Sequence, residues 1–178
     1  KSVRIWDAAE HKLVKMCLLD TMIRCVAYSP DANFIAVGLG GDSNGKKQRK
    51  DGGFVILNEK DLTIVHEARD SKQMIMDIKV SPDGTSLALA SMDGCIYIYN
   101  FGDFGSKAKC RGHKGGVSRI DFSTDGAFLQ STSTAGEILQ WDVETGEMRP
   151  ARNMCDVEWE TQTCTYGWAV QGRWERLV

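Results

Sequence analysis

The 178 residues carry 22 Lys and Arg against 24 Asp and Glu, a net charge of −2, with 42% apolar and 26% charged side chains. That balance offers no bulk attraction to nucleic acid. No apolar run approaches the roughly 18 residues of a membrane span, and no signal peptide opens the chain, so neither nucleic acid nor membrane is an expected partner.

In chain order, the first elements are Ser2-Val3-Arg4-Ile5-Trp6-Asp7 and Lys12 to Leu18, two short apolar runs joined by a turn. Ile23 to Tyr28 follows and ends on Ser29-Pro30-Asp31, a turn signal. Next come Phe34 to Gly38, a polar run GDSNGKKQRK between Gly40 and Asp51, then Phe54 to Leu57 and Ile64 to Glu67. The same order returns as Ile75 to Val80, Ser86 to Ser91, Ile96 to Tyr99 and Ala108 to Cys110, and again as Val117 to Phe122, Phe128 to Ser133, Ile138 to Trp141 and roughly Glu147 to Ala151. No apolar pattern of helical period competes with these strands. Val157 to Thr165 and Trp168 to Trp174 read as the start of one more unit.

The units keep register. Ser81-Pro82-Asp83 lies 42 residues before Ser123-Thr124-Asp125, and Tyr99-Asn100 lies 42 before Trp141-Asp142. The last whole unit opens on Gly112-His113 and closes on Trp141-Asp142. Four strands repeating every 40 to 45 residues or so, between Gly-His and Trp-Asp, mark a WD-repeat β-propeller. The expected fold is therefore all-β and partial: three complete four-stranded blades plus two partial blades. The expected units are 1–18 (third and fourth strands of a blade), 19–70 with a basic insertion at 42–51, 71–111, 112–154, and 155–178 as the start of a further blade. A chain that begins and stops inside blades reads as an excerpt of a longer polypeptide, partnered by the remainder of its own propeller. Closure alone, as a four-bladed ring with a hybrid blade, is the less favoured arrangement, because WD-type blades generally pack in larger rings.

The chemistry-bearing residues point to structure first. His113, Ser133 and Trp141 fit a hydrogen-bond network within a blade, with Ser91 and Asp93 as its members one unit earlier. Each set is incomplete: Ala135 stands where the turn Asp is expected, and Tyr99 stands for Trp. His11, His66 and His113 sit in separate units, so no catalytic group is expected. Six cysteines show neither C-x-x-C pairing nor His at zinc spacing, so no metal or cofactor is expected and a reduced, intracellular setting fits. The glycine runs at 38–41 and 112–116 precede no helix, so turn geometry explains them better than phosphate binding. The insertion, with Lys46, Lys47, Arg49 and Lys50 against two acids, suits an acidic partner surface, although a solvated hairpin tip has the same composition.

Further residues resemble one family within this repeat class. These are Asp121-Phe122-Ser123-Thr124-Asp125 with Phe128-Leu129-Gln130, then Asp156-Val157-Glu158-Trp159, Thr163-Cys164 and Gly172-Arg173-Trp174. Together with Ala36-Val37-Gly38 and Gly52 to Leu57, they resemble the echinoderm microtubule-associated protein-like family. The resemblance implies part of one propeller, towards its later blades, within a pair of fused propellers that engages tubulin. No heptad pattern is present, and none of the family's hydrophobic motif ahead of the propellers. The expected function is a non-enzymatic protein–protein interaction scaffold, cytoplasmic and on the cytoskeleton, with tubulin or microtubules as partners. Expected contacts are Lys46, Lys47, Arg49 and Lys50, with Arg24, Met76 and Met92 near strand starts and turns. A WD-repeat adaptor or substrate receptor in another complex is the alternative, which flanking sequence would distinguish.

Overall fold

The computed structural model describes residues 1–41 and 50–165. Fourteen strands run through them: β1 (Ser2–Asp7), β2 (Lys12–Leu18), β3 (Ile23–Tyr28), β4 (Phe34–Leu39), β5 (Gly53–Asn58), β6 (Ile64–Arg69), β7 (Ile75–Val80), β8 (Ser86–Ser91), β9 (Cys95–Asn100), β10 (Ser106–Arg111), β11 (Val117–Phe122), β12 (Phe128–Ser133), β13 (Ile138–Asp142) and β14 (Met148–Arg149). They form three four-stranded antiparallel meanders, β3 to β6, β7 to β10 and β11 to β14, and the pair β1–β2. This is the all-β propeller architecture that the repeat implies.

Three apolar layers lie between neighbouring sheets. Val3, with Ile35, Val37, Val55 and Leu57, joins β1–β2 to the first whole sheet. Phe54, Ile56, Ile75, Ile78, Leu87, Leu89 and Tyr99 fill the next layer. Ala88, Ala90, Ile96, Ile98, Ile120, Leu129 and Trp141 fill the third. Each whole sheet is covered on both faces along its middle, so β8 is buried at every position and β4 and β12 at all but the first. Small side chains there let the sheets approach. A Cβ placed on Gly38 would lie 2.4 Å from Cys25 Sγ and 2.8 Å from Ile75 Cγ2 of the next sheet.

The turns between first and second strands explain their Ser-x-Asp sequences. Ser29, Ser81 and Ser123 each donate a hydroxyl hydrogen bond to Asp31, Asp83 and Asp125, at 2.5, 2.5 and 2.6 Å. The same hydroxyls accept the backbone N–H of Phe34, Ser86 and Phe128 at 2.9 Å. The third turn residue takes a left-handed φ, at Gly84 (72°) and Gly126 (73°) without a Cβ, and at Ala32 (56°) with one. The Ser29 and Asn33 hydrogen bonds hold the Asp31 carboxyl below its usual range.

Every first strand carries a bulge at the same place. Pairing shifts between Ile23 and Cys25, between Ile75 and Asp77, and between Val117 and Arg119. Arg24, Met76 and Ser118 are the extra residues, and a bulge re-aims the side chain it carries.

Two expectations need revision. The last fourth strand, expected over roughly Glu147 to Ala151, is only Met148–Arg149, followed by a helical turn at Ala151–Asn153. Pro150, at φ −64°, has no N–H to extend the ladder. In the tail, the described residues 155–165 form no strand. They attach instead to β11 through the bridge Ser123↔Trp159 and backbone hydrogen bonds from Thr124 to Glu158 and from Glu160 to Phe122, both 2.9 Å. The partner expected at Trp168 to Trp174 lies outside the described residues.

Candidate interaction surface and structural networks

In the third whole sheet, His113 lies just before β11 with its side chain fully buried. Its Nε2 is 2.7 Å from Ser131 Oγ, and the Trp141 indole N–H donates to the same oxygen at 2.7 Å. His113 Nδ1 faces Glu137 Oε2 at 3.4 Å. One arrangement satisfies all partners: Nδ1–H donates to Glu137, the Ser131 hydroxyl donates to Nε2, and Trp141 donates to Ser131. Burial lowers the His113 pKa, against the opposing pull of Glu137, which favours this neutral ring.

The sequence placed Ser133 in this network, but the bridging hydroxyl belongs to Ser131. Both serines project from the same face of β12, two positions apart. Trp141 pairs with Leu129, so its indole meets the diagonal neighbour Ser131. Ser133, at the strand end, sits 3.3 Å from Glu137 Oε2. Glu137 also takes up the turn position that Ala135 leaves without a carboxylate, by accepting the Lys114 backbone N–H at 2.8 Å. That bond, with those from His113 and Ser133, holds the Glu137 carboxyl below its usual range.

The second whole sheet solves the same problem with other chemistry. Asp70-Ser71 occupies the place of Gly112-His113, 42 residues earlier. Ser71 Oγ lies 2.6 Å from Ser91 Oγ and 3.0 Å from Asp93 Oδ2. Asp93 further accepts the Tyr97 hydroxyl at 2.7 Å and the Cys95 N–H at 3.0 Å. Tyr99, at the position of Trp141, donates to Asp70 at 2.6 Å. Burial would raise the Asp93 carboxyl, but the bonds from Tyr97, Cys95, Ser91 and Ser71 outweigh it and leave it lowered.

Sequence reasoning assigned no role to two buried acids on first strands. Asp77 accepts the Ile120 N–H of the next sheet at 3.1 Å, and burial pushes its carboxyl up. Asp121, fully buried, gathers more donors from the tail: the Thr161 hydroxyl, the Thr163 hydroxyl at 2.8 Å, and the Thr163 and Cys164 N–H groups at 2.9 Å. Gln130 adds a further bond at 3.2 Å. Burial alone would raise Asp121, yet these donors leave it lowered. The available signal was an acid inside an apolar strand together with Thr-x-Thr one repeat later.

Of the expected partner contacts, Arg24, Lys50, Met76 and Met92 fall among the described residues. Arg24 donates Nε–H to Gly40 O at 3.0 Å. Gly40 packs against Met74, where an added Cβ would fall 2.3 Å away, and Met92 N–H donates to Met74 O at 3.0 Å. Met92 fits against Gly116, whose added Cβ would meet its sulfur at 2.4 Å. Large and small residues thus alternate across successive sheet contacts, and Arg24 and Met92 stand on a continuous edge. Met76 is a half-buried bulge residue. Lys50 approaches Glu67 at 3.3 Å and Asp20 at 3.9 Å. Lys46, Lys47 and Arg49 lie outside the described residues. Among the described residues, no three His, Cys, Asp or Glu side chains could hold a metal ion.

The chain matches the model of the echinoderm microtubule-associated protein second β-propeller over residues 1–178. It is 32% identical over 176 residues to human echinoderm microtubule-associated protein-like 3, covering 96% of this chain and 18% of that protein. It is 34% identical over 180 residues to human echinoderm microtubule-associated protein-like 1, covering 98% of this chain and 21% of the relative. For echinoderm microtubule-associated protein-like 4 of Xenopus laevis the identity is 30% over 180 residues. The chain thus spans about a fifth of the length of the curated relatives it matches. With its stacked four-stranded sheets, Asp121 clasping Thr163-Cys164 and this full-length match, the chain belongs to the echinoderm microtubule-associated protein family, in the second of its β-propellers.

Proposed function

We propose that this chain is part of a non-enzymatic, microtubule-associated WD-repeat scaffold that engages tubulin on the cytoplasmic cytoskeleton. The observation that carries this reading is family membership across the whole chain, whose relatives bear microtubule association in their names. The fold suits the role, since sheets fixed by apolar layers display loops and bulge residues with little loss of entropy on binding. Exposed apolar side chains on β1 to β3, among them Trp6, Leu13, Leu18, Val26 and Tyr28, support the remainder of the same propeller as a further partner.

The contact rim would carry the basic loop Lys46, Lys47, Arg49 and Lys50 together with Arg24, Met76 and Met92. Co-sedimentation of the complete protein with microtubules tests the reading, and pelleting above a no-microtubule control is expected. Reversing the four loop charges should reduce that pelleting. Unchanged pelleting would remove the loop from the contact surface, and no pelleting of the unaltered protein would remove tubulin.

A further inference from the structure

On the rim where second strands turn into third strands, a notch of about 430 Å³ opens between the second and third whole sheets. This is within the size range of ligand clefts, roughly 300–1,000 Å³. Three cations line it, Lys72, Lys109 and Arg111, with Asp70, Asp93 and Tyr97 behind them. Among the described residues, none of the three cations forms an ion pair with a carboxylate. The two acids are engaged elsewhere: Asp70 by the Tyr99 hydroxyl, and Asp93 by Ser71, Tyr97 and the Cys95 N–H.

Lys109 is held in place. Its ammonium donates to the Tyr97 hydroxyl at 2.7 Å and lies 4.1 Å from the centre of that ring. Tyr97 in turn donates its hydroxyl hydrogen bond to Asp93, so a chain of hydrogen bonds ends in a cation at the notch. Arg111, two residues further along β10, is exposed and shares the face of Lys109, about 7 Å away along the strand. Lys72 is exposed on the loop opposite. A spacing of about 7 Å is also that of alternate side chains in an extended peptide.

From this arrangement we propose that the notch binds a short acidic peptide in extended form, with carboxylates two residues apart received by Lys109 and Arg111 and a third charge met by Lys72. The site would be specific to the second whole sheet, because the residues one repeat after Lys109 and Arg111 are Ala151 and Asn153. Nucleic acid fits less well: tight backbone binding needs many neutralised phosphates, whereas three cations here sit above two acids in a chain of net charge −2. The inference does not depend on tubulin being the partner, since the probe is a generic acidic peptide.

Fluorescence anisotropy of the complete protein with a labelled hexaglutamate peptide tests it, with hexaglutamine and a short single-stranded DNA as competing probes. Binding of hexaglutamate and not of hexaglutamine is expected, weakening as salt is raised. The rim pair Lys72→Ala with Arg111→Ala should weaken it roughly five- to tenfold, because charge-assisted hydrogen bonds are lost at exposed positions that support no packing. Lys109→Met, which keeps the aliphatic stem over Tyr97, should weaken it by a similar factor. Lys60→Ala, on the distant turn between β5 and β6, should leave it unchanged. No hexaglutamate binding, equal binding of the two peptides, equal loss with Lys60→Ala, or displacement by DNA at lower concentration would each overturn the proposal.

Discussion

The second and third whole sheets have the same strand order and the same 42-residue spacing, yet they brace their upper ends with different chemistry. The third uses a buried neutral ring: His113 and Trp141 converge on the Ser131 hydroxyl, and Glu137 closes the set from the rim. The second uses carboxylates and phenols: Asp93 takes Ser71 and Tyr97, and Asp70 takes Tyr99. Each network pairs its own polar members, which is the requirement burial imposes on them. Residue identity at these positions is free to vary as long as donors and acceptors balance. The second set also ends in a solvent-facing cation, Lys109, whereas the third ends in an acid.

The comparison can be broken most strongly at Trp141. It is 1% exposed and packs in the apolar layer as well as donating to Ser131. Trp141→Ala should cost about 3–5 kcal/mol, read as a drop in the urea midpoint. His113→Ala should cost about 1–3 kcal/mol, because Ser131 and Glu137 lose a buried partner. It should also remove a pH dependence peculiar to the third sheet. Burial depresses the His113 pKa in the folded state, so the unfolded chain binds the proton more tightly. Stability should therefore be intact above the unfolded value of about 6.5 and fall as pH drops below it. The fall should continue until the depressed folded value is reached, and denaturation midpoints between pH 7 and pH 5 should be flatter in the variant.

The corresponding change in the second sheet is milder. Tyr99→Phe keeps the ring in its layer and removes only the hydroxyl bond to Asp70, for an expected cost of about 1 kcal/mol. A midpoint shift as large as that of Trp141→Ala would mean that the two positions share more than geometry. The smallest effect extends the comparison to the first whole sheet. Ala32 holds the left-handed conformation that Gly84 and Gly126 adopt freely, so Ala32→Gly should raise stability by about 0.5 kcal/mol in the same measurement.

Strand order and the bounds of β3, β7 and β11 could be read directly, because Ser-x-Asp turns and apolar runs are local signals. The choice of Ser131 over Ser133 could not, since it depends on which residue of β12 lies diagonal to Trp141. Glu137 standing in for a turn acid was hidden for the same reason: its position in space depends on the turn around Gly136. The bulges at Arg24 and Met76 leave no mark in composition. Asp121 and Thr163-Cys164 stood out only as marks of a family resemblance, and the clasp between them was hidden because they lie a full repeat apart.

The tight seat of Gly38 reaches further than its own strand. With Cys25 and Ile75 already within touching range of any added methyl group, a larger residue would have to pry the first two whole sheets apart. The sheets are laid side by side like staves in a cask, so a change of pitch at one joint tilts everything after it. A single methyl in the interior would thereby displace loops at the far end that it never meets.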